Sequence, residues 1–192
     1  MCIRDRDGVQ ARALLGRGQA VLRRLESLGV PSIAAVRGWA LGGGFELALA
    51  CSLVVAGRRA RFGLPEAGLG LMPGYGGTQR LTRQVGAKTA LATMLSGEPL
   101  DAQRAWELGL LALPPVEDED VGDAAGDLAR RVASRSPTAV RLILEAVDAA
   151  ADADAGLRHE TALAALAASS TDAVEGVAAF LEKRDPAFEA PA

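Results

Sequence analysis

Residues 40–48 read ALGGGFELA, and this stretch decides the fold class that the sequence predicts. A short apolar run precedes it at residues 32–36 and another follows at residues 53–56, and both have the pattern of buried strands. The glycines predict a tight turn over residues 38–44, and residues 45–50 suit a helix. A strand, a glycine turn, a helix and a second strand in this order indicate an α/β layered core.

Helical patterns flank this core on both sides. Residues 9–28 carry apolar side chains at helical spacing, and a further extended piece is predicted at residues 60–63. A loop dense in glycine and proline follows at residues 64–78. Beyond that loop, helices are predicted at residues 79–85, 88–95, 102–108, 123–134, 137–151, 157–168 and 171–184.

These patterns divide the chain into three parts. Residues 1–8 do not lead into a recognisable strand, and they are interpreted as a non-native or disordered leader. Residues 9–134 form the predicted α/β core that carries the candidate catalytic motifs. Residues 135–192 are predicted to be helical throughout, with apolar helix faces that suit self-association.

Composition excludes several classes of protein. The chain has 192 residues, of which 49% are hydrophobic and 23% charged, as is ordinary for a globular protein. A net charge of −3 argues against a dedicated nucleic-acid binder, and no apolar run approaches the ~20 residues that span a bilayer. Cys2 and Cys51 lack CxxC spacing, so neither a metal site nor a disulfide framework is predicted, and a reducing, cytoplasmic setting is expected.

Glu46 is the first residue that points to chemistry. It is the only acid between Glu26 and Glu66, and it lies in an apolar run where an isolated charge must be solvated, paired or functional. The first amide groups of the helix after the glycine turn favour negative charge, such as that of an enolate. Two other interpretations stay open: a turn without chemistry, and an acid that merely interacts with the helix dipole.

Glu66 is a second isolated acid, and it precedes the loop GLMPGYGGTQR at residues 70–80. Such a loop can offer backbone N–H groups to a water molecule or a substrate. Two isolated carboxylates near glycine-rich backbone suit general acid–base chemistry on one water molecule. The alternative is a surface loop with a solvated Glu66.

Three motifs together resemble a known family. ALGGGFELA at residues 40–48, FGLPE at residues 62–66 and PGYGGTQRL at residues 73–81 look like the central signature of the crotonase (enoyl-CoA hydratase/isomerase) superfamily, in order and in spacing. The resemblance covers about residues 20–188. It implies an α/β fold with a crotonase-like ββα spiral core, incomplete at the N-terminus, and a C-terminal all-helical region.

The resemblance also implies roles for individual residues. Glu46 and Glu66 would hold the water that adds across the double bond of a trans-2-enoyl-CoA, one activating it and the other handling the proton at the α-carbon. The N–H of Gly43 would supply one arm of an oxyanion hole, and the N–H of Gly74 would position the water. Lys183 would reach the phosphate-bearing end of CoA across a subunit boundary.

Further substrate contacts are expected from Gly42, Leu64, Pro65 and Tyr75. No metal and no separate cofactor is expected, because coenzyme A enters as part of the acyl-CoA thioester substrate. The resemblance implies a homotrimer or a dimer of trimers. From net charge and hydropathy, no nucleic-acid or membrane partner is expected.

Three functions compete at this point. The first is reversible hydration of the β-oxidation type, and the second is isomerisation or another crotonase-type reaction of a CoA ester. The third is a fragment without activity that only binds partners. Retention of both glutamates favours hydration, since an allylic proton shuttle can manage with one acid. Because the family's earlier strand, which supplies a second oxyanion N–H, does not precede Val9, this chain alone is expected to be weak or inactive.

Overall fold

The computed structural model describes residues 8–149, 162, 164–167 and 170–188. The described residues form two compact units. The first contains residues 8–26 and 32–125, and the second contains residues 27–31 with the described residues from 126 onward. Residues 1–7 of the predicted leader and most of the helix predicted at residues 157–168 lie outside the described residues, whereas Gly8, the last residue of that leader, begins the first helix.

Five short strands build the first unit: β1 (Ile33–Val36), β2 (Trp39–Leu41), β3 (Leu53–Ala56), β4 (Arg61–Gly63) and β5 (Leu100–Asp101). Strands β1 and β3 pair in parallel and form one small sheet. In the other sheet, β4 lies between β2, to which it is parallel, and β5, to which it is antiparallel. The strands predicted before and after the glycine turn, and the extended piece at residues 60–63, are therefore confirmed.

Two of these strands depart from the predictions. The turn predicted over residues 38–44 is wrong for Trp39–Leu41, which form β2 before the chain turns. Strand β5 was not predicted at all. Both strands are only two or three residues long, too short to show a period in the sequence, and it is pairing with β4 that holds them extended.

Five helices of the first unit are α1 (Gly8–Glu26), α2 (Gly43–Ala50), α3 (Gly77–Val85), α4 (Ala87–Ser96) and α5 (Ala102–Glu107). Their positions agree with the predicted helices to within two residues at each end. Helix α5 begins where the Asp101 side chain accepts a hydrogen bond from the Arg104 amide at 2.7 Å. A five-residue 3₁₀ turn, Pro65–Leu69, follows β4 and was not predicted.

The core of the first unit brings α2 against β4. The rings of Phe45 and Phe62 lie 5.4 Å apart, tilted by 50°, a favourable aromatic arrangement. Both side chains are buried, as are Leu64, which directly follows β4, and Leu81 on α3. Because Phe45 is fixed in this core, the next residue, Glu46, takes a defined direction from the same turn of helix.

The remaining described elements are helices: α6 (Val121–Ala133), α7 (Pro137–Asp148) and α8 (Thr171–Glu182). Helix α7 begins with Pro137 after Ser136, whose Oγ accepts from the Ala139 amide at 3.0 Å. The same hydroxyl donates to Asp172 at 2.6 Å, which connects the first turns of α7 and α8.

Candidate active site

Glu46 lies in the first turn of α2 with its side chain only 1% exposed. Its Oε1 atom accepts two backbone hydrogen bonds, from the N–H of Tyr75 and from the N–H of Gly77, both at 2.8 Å. Charge-assisted bonds of this kind offset the cost of burying a carboxylate. The isolated acid of the sequence is therefore a buried group fixed by the loop that precedes α3.

Gly77 makes this arrangement sterically possible. A Cβ atom at position 77 would lie 3.0 Å from Cγ and Oε1 of Glu46, and 3.0 Å from Cδ1 of Leu64. Any larger residue would therefore displace either the carboxylate or the core side chain behind it. The residue before it, Gly76, has φ of 104° and turns the chain into α3.

Glu66 lies in the 3₁₀ turn that follows β4. Its Oε2 atom is buried and accepts no hydrogen bond from the described part of the chain. Burial raises the pKa of the Glu66 carboxyl above its ordinary value; its own backbone lowers the pKa, and the negative charge of Glu46 raises it further. A carboxyl group with a raised pKa beside a fixed buried carboxylate suits proton transfer.

The glycine turn joins the two acids. Gly42 donates its N–H to the carbonyl of Gly63 at 2.9 Å and has φ of 52°, so the chain leaves β2 and enters α2 within one residue. A Cβ at position 42 would lie 3.2 Å from Oε1 of Glu66. Helix α2 begins at Gly43, and the first N–H groups of a helix have no intrahelical acceptor. These amides provide a positive helix terminus beside Glu66.

Tyr75 lies on the other side of this turn. A Cβ at position 43 would lie 3.5 Å from Cδ2 of the Tyr75 ring, so the aromatic ring lies close to the backbone of Gly43. Gly74, the preceding residue, accepts a hydrogen bond on its carbonyl from Nε2 of Gln19 at 2.9 Å. The loop thus brings Tyr75 to Glu46, to which its N–H donates. The role of the Gly74 N–H in positioning a water molecule stays a prediction.

The other predicted substrate contacts are divided between the two units, with Leu64 and Pro65 in the first and Lys183 in the second. Leu64 is fully buried, and Pro65 opens the 3₁₀ turn that carries Glu66. Lys183 belongs to the second unit, where it is exposed directly after α8 with φ of 55°. The substrate-binding roles of all three residues stay predictions.

Sequence reasoning missed the contribution of α1. Leu15, Gly18 and Gln19 contact the loop at residues 74–75, and Glu26 pairs with Arg80 at the start of α3. Leu15, Gln19 and Glu26 recur at helical spacing, which is the signal that marks them as one face of α1. Nothing in that spacing indicates that the face packs on a loop more than fifty residues away.

Metal ligation has no candidate among the residues that the structure describes, since no three His, Cys, Asp or Glu side chains there are grouped to hold an ion. The expectation that the protein needs no metal stays a prediction. None of the described helices is long and apolar enough to cross a membrane.

Comparison with known proteins gives a consistent result. A family model described as enoyl-CoA hydratase/isomerase matches residues 5–191. A probable enoyl-CoA hydratase of Bacillus subtilis (strain 168) is 42% identical over 178 residues, covering 92% of this chain and 69% of the relative. The 2,3-dehydroadipyl-CoA hydratase of Escherichia coli (strain K12) is 46% identical over 168 residues, covering 86% of this chain and 66% of the relative.

A solved structure agrees with these relatives. The enoyl-CoA hydratase subunit I of Geobacillus kaustophilus HTA426 superposes with a TM-score of 0.89 at 44% identity, covering 96% of this chain and 71% of that chain. The chain thus spans about two thirds of the length of the relatives it matches.

Proposed function

Because the chain belongs to the enoyl-CoA hydratase/isomerase family, we propose that its two glutamates hydrate a trans-2-enoyl-CoA to the 3-hydroxyacyl-CoA. The predicted resemblance to the crotonase superfamily and the predicted α/β fold are confirmed by the family match and by the solved structure. The similarity to these relatives shows that this protein is a hydratase-like enzyme. Both relatives are named as hydratases of enoyl-CoA thioesters.

The observation that carries the proposal is the unequal environment of the two acids. The Oε1 atom of Glu46 accepts two backbone hydrogen bonds at 2.8 Å. Glu66, in contrast, has a buried oxygen without a hydrogen bond from the described residues, and its pKa is raised. Groups whose environments differ in this way divide into a base and an acid. We assign Glu46 as the base and Glu66 as the proton donor.

The step balances with these roles. Glu46 takes one proton from water while the hydroxyl oxygen bonds to C3 of the enoyl group. The C2–C3 π electrons shift toward the thioester carbonyl, and C2 receives the proton of Glu66. Transfer of the proton from Glu46 to Glu66 through solvent restores both groups, so the net change is addition of one water molecule.

The glycine turn supports the negative charge that this step creates. The carbonyl oxygen of the thioester gains charge as the enolate forms, and we assign the N–H of Gly43 as a donor to it, because α2 begins at Gly43. One such donor contributes about 2.7–4 kcal/mol of transition-state stabilisation in other enzymes.

The test is a hydration assay on the full-length protein with trans-2-enoyl-CoA. Glu46→Gln and Glu66→Gln should each lower kcat by about 100-fold or more, the usual scale of general acid–base catalysis. Glu119→Gln is the matched control, since Glu119 is an exposed acid of the same unit, and its variant should keep the wild-type rate. Conversion of a 3-enoyl-CoA without hydration of the 2-enoyl isomer would instead support the isomerase alternative.

Assembly of the protein is part of the proposal. The second unit exposes apolar side chains on two of its helices: Ile143 and Val147 on α7, and Val174, Val177 and Leu181 on α8. Such faces suit burial against another copy, and we propose a homotrimer or a dimer of trimers. Light scattering measures the mass directly, and a monomer at micromolar concentration would contradict both this assembly and the shared-site role of Lys183.

A further inference from the structure

The aromatic ring of Tyr75 lies between two glycines from distant parts of the chain. On one side is Gly43, where a Cβ would lie 3.5 Å from Cδ2 and 3.6 Å from Cε2 of the ring. On the other side is Gly18, in the middle of α1, where a Cβ would overlap with Cδ1 and Cε1 of the same ring. The ring therefore fills the space between α1 and the glycine turn of the candidate active site.

The backbone of Tyr75 is fixed as well as its ring. Its N–H donates to Glu46 at 2.8 Å, and its carbonyl accepts from Nη1 of Arg80 at 2.6 Å. The carbonyl of Gly74 is bound by Gln19 of α1. Because the peptide groups on both sides of the Cα atom are held, the ring cannot retreat from Gly43 by a shift of the loop.

We propose that Gly18 is a positioning residue that, through the ring of Tyr75, restricts the enzyme to short acyl groups. This inference rests on the proposed function, in which the N–H of Gly43 binds the thioester carbonyl. An acyl group bound there has C2 and C3 within a few bond lengths of Gly43, and so beside the ring. The backbone of α1 at Gly18 lies against the opposite side of the ring, so the ring cannot move aside and longer acyl chains are excluded by steric contact with it.

Glycine at position 18 is unfavourable for α1 on its own account, since glycine in a helix interior is less stable than alanine. The contact with Tyr75 explains why the small residue is there. Gly16, two residues earlier in the same helix, offers a matched control because a Cβ at that position would have no atom within 4 Å.

The experiment measures kcat/KM of the full-length protein for trans-2-butenoyl-CoA and trans-2-decenoyl-CoA. Tyr75→Ala should raise the decenoyl-to-butenoyl ratio by at least about 10-fold, because pocket space for even one methylene is worth about 10–200-fold. Gly18→Ala should lower the same ratio, mainly through a higher KM for decenoyl-CoA, because the added methyl group pushes the ring toward Gly43. Gly16→Ala should leave the ratio unchanged.

The double variant Gly18→Ala/Tyr75→Ala separates this role from a general effect of the helix. The three atoms nearest to a methyl group at position 18 all belong to the Tyr75 ring, so without the ring the double variant should match Tyr75→Ala in its ratio. Thermal unfolding gives a second readout. Gly18→Ala should lower the midpoint when Tyr75 is present and raise it in the Tyr75→Ala background, where only the gain in helix propensity remains.

The inference and the proposed function fail in different ways. Hydration by the wild-type protein, with a ratio that Tyr75→Ala leaves within about twofold, would overturn the inference and keep the function. An equal effect of Gly18→Ala with and without the ring would also overturn it. Absence of hydration of every 2-enoyl-CoA by the wild-type protein would overturn the function and the inference together.

Discussion

Removing the ion pair between α1 and α3 should weaken the fold and the reaction together. Arg80 donates Nε to Oε1 of Glu26 at 2.6 Å and Nη2 to Oε2 at 2.9 Å, a bidentate pair. Its remaining nitrogen, Nη1, donates to the carbonyl of Tyr75 at 2.6 Å. One guanidinium therefore connects α1, α3 and the loop that holds Glu46.

The magnitude follows from the burial of the pair. The side chains of Arg80 and Glu26 are 13% and 23% exposed, between the surface and the interior. Breaking a fully buried pair costs about 3–5 kcal/mol and breaking an exposed one at most about 1 kcal/mol, so Glu26→Gln should cost about 2 kcal/mol. For a chain of this size such a loss lowers the unfolding midpoint by about 4–8 °C.

The matched control is an exposed pair within one helix. Arg104 and Glu107 lie 3.3 Å apart with side chains 55% and 49% exposed, so Glu107→Gln should cost less than about 0.5 kcal/mol. Chemical denaturation monitored by circular dichroism compares the two variants. An equal loss in Glu26→Gln and Glu107→Gln would refute the reasoning.

Arg80→Lys tests the link to catalysis. Lysine keeps the charge but not the planar fork, so it cannot bind both oxygens of Glu26 and the carbonyl of Tyr75 at once. With that carbonyl released, the Tyr75 N–H holds Glu46 less firmly, and kcat should fall by about 10-fold while KM changes little. A fall in stability without any fall in kcat would leave Arg80 with a purely structural role.

Two further predictions concern the acids themselves. Gly77→Ala should lower kcat by about 10-fold or more, since its Cβ would lie 3.0 Å from Oε1 of Glu46, and a steady-state assay with Gly68→Ala as control, where a Cβ meets no atom within 4 Å, checks this. Glu66 should make the protein less stable as pH rises: its pKa is raised in the folded state, so between the ordinary and the raised value the native state binds more protons than the unfolded state. Between about pH 4 and 8, the unfolding midpoint of Glu66→Gln should therefore rise relative to that of the wild type as pH increases. A difference between the two midpoints that does not change with pH would contradict the raised pKa of Glu66.

The sequence was sufficient to find the two acids because each stands out from its local context. Glu46 is an isolated charge in an apolar helix, and Glu66 follows a buried strand and precedes a glycine-rich loop. Both features depend only on neighbouring residues, so they can be recognised from the sequence alone. The partners that fix Glu46 lie 29 and 31 residues away, and only the motif resemblance brought that loop to the same site.

The contribution of α1 could not be predicted in this way. Gln19 and Glu26 look like ordinary polar residues of an amphipathic helix, and their partners are 55 and 54 residues further along the chain. Local propensity even weighs against Gly18. Which loop a helix face meets is set by the packing of the whole unit, for which one sequence carries no direct signal.

The glycines of the site show where the physical reason for a residue differs from its pattern. In the sequence they predict turns, and Gly42 and Gly76 do adopt positive φ values. Yet the space beside Gly42, Gly43 and Gly77 is taken by Glu66, Tyr75 and Glu46 respectively. Each missing side chain lets a group of the candidate active site approach the backbone. A glycine-rich motif can therefore indicate that another group lies close to the backbone, as well as that the chain turns. Only the three-dimensional structure shows which group that is.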